Sequence, residues 1–393
     1  MPRSSLLPAA TAAARLGVKR ATLYAYVSRG RLQAYRLPGR PGTWFDPVQL
    51  DALGRQARRP QARRPDLRVT SAITAIDGGQ YWYRGLDPQM LARSRSCEQV
   101  AEWLWQGVEV ETPVWPIDET AVVEARAVHA TLPAAASATD RLRVVIAVLG
   151  VLDPLRFDRR PAGAVATARR LLASATATVA RRRGGSIAAQ VASWIGVPRR
   201  NGAAVAAIDD VLVLMADHEL AASTLAVRVA ASFGADPYAA VAAGLGAMSG
   251  ARHGAASRRL EEALAAMRRG QAAARAAGAL LDDASAVPGF GHPLYPSGDP
   301  RVAPVLALAR RLGATSRADA LAAVIAAQGA PPANVDFALA AFTDALGLAP
   351  GAGEALFSAA RLAGWLAHAI EEYAERTDFR LRAIYIGPQP GAR

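Results

Sequence analysis

Residues 288–301 read PGFGHPLYPSGDPR, a glycine- and proline-rich loop that carries His292 and ends at Arg301. Three further segments flank it at a distance. ADHELAAST spans 216–224, GARHGAAS spans 250–257 and NVDF spans 334–337. Between them almost everything from Pro88 to about Tyr373 has the apolar periodicity of helix, beginning at Leu91, Val100, Leu104 and Trp105. The His218 segment reads as part of a long apolar helix. Residues 163–183 and 257–281 are rich in Ala and Arg, and their periodicity points to packed helices with solvated arginine faces.

Composition supports a helical chain. Of 393 residues 52% are hydrophobic but only 6% aromatic, and much of the apolar content is alanine, the best helix former. That length allows two or three domains, each with a core of its own. One β-rich patch interrupts the pattern. Residues 73–76 (ITAI), a turn at Asp77-Gly78-Gly79, and 81–85 (YWYRG) read as a hairpin.

Charge divides the chain. The formal net charge is +13, and residues 1–68 hold fourteen Lys or Arg against Asp46, Asp51 and Asp66, a local net of +11. Such clustering is an electrostatic footprint for an anionic partner. Within it, 7–16 read as a helix with Pro8 at its start, Gly17 as a turn, and 19–28 as a second helix. That helix carries Lys19, Arg20, Thr22, Tyr24 and Tyr26. A strand-like stretch runs to Leu37, a turn follows at Pro41-Gly42, then Thr43-Trp44-Phe45, and Pro47 opens a third helix. Residues 1–57 resemble the winged helix-turn-helix of excisionase and MerR-type DNA-binding domains. The resemblance implies duplex DNA as a partner, with those five residues in the major groove. A basic module for protein contacts is the competing reading. Residues 58–68 (RRPQARRPDLR) read as an extended linker.

Several classes are excluded. There is no Walker A loop, no G-x-G-x-x-G and no G-x-S-x-G elbow. His218-Glu219 lacks the second histidine of a zinc-protease helix, so no metal site is expected. Cys97 is the lone cysteine, read as a small buried apolar side chain. No signal peptide or membrane span is legible, and a soluble cytoplasmic protein is expected.

In this order and spacing, the His-Glu segment, the Gly-rich loop bearing His253, the G-F-G-H loop ending in Asp-Pro-Arg, and the Asn-x-Asp segment resemble the citrate synthase family. SAARLAGW at 358–365 resembles its later arginine helix, and IDGGQYWYRG its N-terminal hairpin. The resemblance covers about residues 69–388. It implies a mainly α fold, with a large helical domain (69–253 and 342–393) and a small mobile domain (254–341), behind the winged helix-turn-helix domain. It also implies a homodimer whose last arginine, Arg380 or Arg382, crosses to the partner subunit. No permanently bound cofactor is expected; a CoA thioester enters as substrate, against Gly289, Phe290 and Gly291.

The chemistry agrees with that resemblance. Removing a methyl proton from an acetyl thioester with a carboxylate requires that the enolate oxygen be stabilised at the same moment. Asp336 is the expected base and His253 the donor, with His292 polarising the ketone of a 2-oxo acid. The resemblance places Arg301, Arg361 and Arg380 on its carboxylates, with His218 as a further contact, and a planar fork that binds carboxylate bidentately suits that role. His129 and His368 are read as structural. Departures from the family pattern leave the substrate open: Ala221 replaces a common Asn, Ala251, Arg252, Ala255 and Ser257 alter the His253 loop, and Pro293 follows His292. The alternatives are a 2-methylcitrate synthase, a citryl-CoA lyase, or a DNA-binding regulator using such a domain as a ligand sensor.

Overall fold

The computed structural model describes residues 6–28, 32–37, 40–58, 69–250, 256–281, 287–375, 377 and 379. These fall into two compact units divided between Val69 and Thr70.

The first unit holds strand β1 (Leu7–Pro8), helices α1 (Ala9–Leu16) and α2 (Arg20–Ser28), strands β2 (Tyr35–Leu37) and β3 (Arg40–Phe45), and helix α3 (Pro47–Arg58). The strands form an antiparallel sheet in the order β1-β3-β2. The expected helix from Leu7 starts two residues later. Pro8 is extended, and Leu7 pairs instead with Phe45 across the sheet. Gly17, at φ 70°, ends α1 by returning its N–H to the last turn. The Pro41-Gly42 pair expected as a turn lies within β3. Ala12, Leu23, Phe45 and Leu50 are fully buried in the core of this unit.

The second unit opens with the hairpin β4 (Thr74–Asp77) and β5 (Gln80–Tyr83), turned by Gly78 and Gly79. Helices α4 (Pro88–Ser94), α5 (Cys97–Gln106), α6 (Glu119–Ala130), α7 (Ala138–Leu152) and α8 (Pro161–Val179) follow. Next come α9 (Ile187–Ile195), α10 (Gly202–Leu214), α11 (Ala222–Ser232) and α12 (Pro237–Met248). The last are α13 (Ala256–Arg268), α14 (Ala273–Leu281), α15 (Val302–Leu312), α16 (Ser316–Ala327), α17 (Val335–Ala345) and α18 (Ala352–Glu375). Side-chain oxygens of Asp87, Ser96, Asp118, Ser137, Ser186, Asn201 and Asp236 cap their helices, each taking an otherwise orphaned N–H. Helix α8 ends at Val179, earlier than the periodicity suggests. Arg181, Arg182 and Arg183 lead instead into Gly184 and Gly185, both at positive φ.

Helix α18 is buried on nearly every side from Ala352 to Ala369, and α5, α7, α8, α10, α11 and α12 pack around it. The apolar side chains form two clusters, one around α18 and one around Leu260, Leu264, Leu321, Ile325 and Phe337. Helix α17 belongs to both. Ala338, Leu339 and Phe342 face the first cluster, and Phe337, Ala340 and Ala341 the second. The helix that starts beside Asp336 therefore bridges the two cores. Among the described residues no helix is long and apolar enough to cross a membrane.

Candidate active site

His218 does not lie in a helix. Helix α10 stops at Leu214 and α11 starts at Ala222, leaving 216–221 as an irregular break in which Glu219 takes φ 53°. Non-local contacts outweigh the helical periodicity here. Asp217 is fully buried and accepts from Thr74 Oγ1 at 2.5 Å and from the Glu219 amide at 3.1 Å; His368 Nε2 lies 3.3 Å from the same oxygen. The Asp217 amide donates to Tyr83 Oη at 3.1 Å, so the hairpin holds the break open. Helix α18 allows the close approach through Gly364, whose N–H donates to Ala216 O. A Cβ there would stand 2.3 Å from that oxygen.

The break leaves His218 buried among three rings. Those of Tyr81, His292 and Tyr295 stand 5.9, 5.5 and 5.4 Å from its own. Burial first, then the nearby Arg301 and Arg361 guanidinium groups, hold its pKa well below the usual range, so the ring is neutral.

The 288–301 loop is pinned to the start of α17. Asn334 caps that helix by accepting from the Asp336 amide at 2.9 Å, and its Nδ2 donates to Gly291 O at 2.9 Å. The Asn334 amide donates to Gly289 O at 2.8 Å, and the Gly291 amide to Pro332 O at 2.7 Å. Gly289 sits at φ 77° with no room for a Cβ, which would meet Leu260 Cδ1 at 2.3 Å.

This anchoring orients His292. Its Nδ1 accepts from the Leu294 amide at 3.2 Å, and Arg301 Nη2 lies 3.5 Å from its Nε2. Burial and the neighbouring Arg301 lower its pKa to about 4. The ring is thus a neutral N–H donor near pH 7.

The two described arginines differ. Arg301, buried, is gripped by Asp299, with Nε–Oδ1 at 2.9 Å and Nη2–Oδ2 at 2.7 Å. Asp299 also accepts from the Val335 amide, which ties Arg301 to α17. Arg361, expected on a carboxylate from the resemblance, is buried in α18. Its Nε has no hydrogen-bond partner among the described residues, and its guanidinium lies 4.8 Å from the Phe357 ring centre. Burial lowers its pKa, opposed by Asp217. A buried cation with no carboxylate bridge among the described residues is costly unless an anionic ligand completes it.

Asp336 stands in the first turn of α17, where the helix dipole favours a carboxylate. Burial wins nonetheless. It lifts the pKa to about 7, with Arg301 pulling down and Asp299 pushing up. A carboxylate balanced near neutrality is suited to taking a proton and giving it back.

Gly289, Phe290 and Gly291 lie in the same loop, and Phe290 bridges to Ala333. His253, Arg380 and Arg382 lie outside the described residues. Lys19, just before α2, and Arg20, Thr22 and Tyr24 on it are exposed, while Tyr26 is half-buried against the core of its unit. Cys97 is half-buried and packs against the first apolar cluster. Its thiol donates to Glu98 Oε2 at 3.3 Å and its amide to Asp209 Oδ1 at 3.0 Å. His368 is buried among Asp217 and Arg228. Sequence reasoning passed over Tyr295, Asp299 and Asn334. All three stand inside the quoted motifs, but nothing local told a positioning role from a loop residue.

A family model described as citrate synthase, C-terminal domain, matches residues 67–382. Citrate synthase 2 of Bacillus subtilis is 28% identical over 356 residues, covering 81% of this chain and 94% of that protein. 2-Methylcitrate synthase 1 of Corynebacterium glutamicum is 28% identical over 365 residues, covering 83% and 96%. Among solved structures, the ternary complex of carboxymethyl coenzyme A and oxaloacetate with citrate synthase from Thermoplasma acidophilum superposes with a TM-score of 0.65. It shares 22% identity and covers 82% of this chain and 95% of that one.

Proposed function

Since the chain belongs to the citrate synthase family, we propose that it condenses acetyl-CoA, or a close acyl-CoA, with oxaloacetate and hydrolyses the resulting thioester to citrate and CoA. The observation that carries this reading is that one side chain, Asn334, caps the helix of Asp336 and binds the carbonyl of Gly291 beside His292. Burial raises the Asp336 carboxyl and keeps the His292 ring neutral, as this chemistry needs.

In this mechanism Asp336 removes a methyl proton from the thioester while His253 donates a hydrogen bond to the enolate oxygen. The enolate carbon attacks the ketone of oxaloacetate, and His292 passes its ring proton to the new alkoxide. Water then cleaves the C–S bond of the condensed thioester, releasing CoA and making the sequence effectively irreversible. Arg301 and Arg361 hold the oxo-acid carboxylates, with Arg380 completing the set from the partner subunit of a homodimer. The loop at Gly289, Phe290 and Gly291 lies against CoA. Residues 254–341 act as the small domain, closing over 69–253 and 342–393 to exclude water during condensation. Support for that division comes from the second apolar cluster, which α17 joins to the first.

A second substrate, propionyl-CoA, is favoured by the equal identity to a 2-methylcitrate synthase and by Ala221, where the family pattern noted in the sequence has Asn. Thiol release across a panel of acyl-CoAs and 2-oxo acids tests both. Absence of turnover with every pair leaves the ligand-sensor alternative. Residues 1–57 form a winged helix-turn-helix domain for duplex DNA on this reading, supported by the exposed Lys19 before α2, the exposed Arg20, Thr22 and Tyr24 on it, and the local +11 charge.

A further inference from the structure

We propose that Tyr295 is a positioning residue of the oxo-acid pocket, whose hydroxyl fixes the His218 ring while its own ring backs His292. Tyr295 Oη and His218 Nε2 are 2.8 Å apart, with both side chains buried. On its other side the Tyr295 ring stacks on His292, with centroids 4.8 Å apart and 30° between planes. Its amide donates to His292 O at 3.1 Å, so ring and backbone belong to one turn. One side chain therefore spaces two histidines that come from separate elements, the 216–221 break and the 288–301 loop.

The consequence is chemical. His218 Nε2 is already engaged, so His218 alone does not present both ring nitrogens to a ligand. Burial pushes the Tyr295 phenol up to about 12, so the hydroxyl keeps its proton at neutral pH. A His218–Tyr295 unit is neutral and can reverse its hydrogen bond. When Nε2–H donates to Oη, the tyrosine O–H becomes free to reach a carboxylate beside Arg301 and Arg361. Discrimination for an anionic oxo acid then depends on the hydroxyl as well as on the arginines.

The inference rests on the proposed condensation. Tyr295→Phe keeps the ring stack and deletes the hydroxyl. It should raise KM for oxaloacetate about 10-fold or more while kcat stays within about threefold, as loss of one hydrogen bond to a carboxylate warrants. Tyr295→Leu, which loses the stack as well, should lower kcat too. Oxaloacetate affinity measured by calorimetry on the full chain should fall for Tyr295→Phe by the same factor as KM rises. With only five histidines in the chain, ring-nitrogen NMR reads the bond directly, and the His218 signals should shift in Tyr295→Phe at unchanged melting temperature. An active wild type together with unchanged KM and affinity in Tyr295→Phe overturns the proposal. A wild type that neither binds oxaloacetate nor turns over instead defeats the functional reading, and the proposal with it.

Discussion

The side-chain amide of Asn334 donates to the carbonyl of Gly291 at 2.9 Å, so the residue that caps the Asp336 helix also holds the loop of His292. The expected base and the expected acid are thereby set against each other by one side chain. Asn334→Ala removes both bonds. It should cost about 1–2 kcal/mol of stability, the usual worth of a cap, and lower kcat by more than that loss explains. Asn334→Asp retains the cap but cannot donate to Gly291, so it should regain stability without regaining kcat. Thermal melts and steady-state kinetics on both variants separate the two effects.

Asp336 must be ionised to act as a base. With its pKa near 7, kcat/KM should rise with pH and level off above about pH 8. His292, with a pKa of about 4, stays neutral through this range and contributes no second inflection. Asp336→Asn should cut kcat by about 100- to 10,000-fold and abolish the inflection, leaving oxaloacetate binding nearly intact.

The same shift predicts a stability effect of opposite sign to the catalytic one. The folded pKa lies above that of an unfolded Asp, so ionising the carboxyl penalises the folded state progressively between about pH 4 and pH 7. Asp336→Asn should therefore melt higher than wild type at pH 8 and no higher at pH 4. A melting gain that is equal at both values would show that Asp336 carries no raised pKa.

Arg361 is a buried cation whose Nε finds no partner among the described residues. Arg361→Leu should relieve that cost and leave the melting temperature unchanged or higher. The same variant should raise KM for oxaloacetate about 10- to 100-fold, the worth of hydrogen bonds to a charged group. Stability and affinity moving together downward would mark Arg361 as structural.

Ala221 stands at the N-cap of α11 and supplies no side-chain bond there. Ala221→Asn should add about 1 kcal/mol of stability by capping. It should also shift the acetyl-CoA to propionyl-CoA ratio of kcat/KM toward acetyl-CoA if the second substrate reading holds. A preference for acetyl-CoA above about 100-fold in both proteins would discard that reading, since one methylene in an apolar pocket is worth about 10- to 200-fold.

For the first unit, binding through phosphates releases counterions, so the affinity of the full chain for duplex DNA should fall steeply with salt, by about 1,000-fold or more from 50 to 200 mM for six phosphate contacts. Fluorescence anisotropy with a labelled duplex measures it. No binding at low ionic strength would leave the protein-contact reading of residues 1–57.

The amino-acid sequence by itself determined the helical character, the hairpin at Gly78-Gly79 and the order of the four chemistry-bearing segments. Each is written in local signals: a 3.6-residue period, turn glycines, and reactive residues spaced along one loop. It also located Asp336, His292, Arg301 and Arg361 as residues, though not their states. Only the tertiary structure decided that His218 stands in a break and not in a helix, because the competing bond joins Thr74 to Asp217 across 143 residues. It decided likewise that Arg361 is buried and that Tyr295 lies between two histidines. The pKa of about 7 at Asp336 belongs to the same class. Burial and charge proximity are sums over residues distant in the chain, and helical periodicity records which face is apolar without recording what that face will meet.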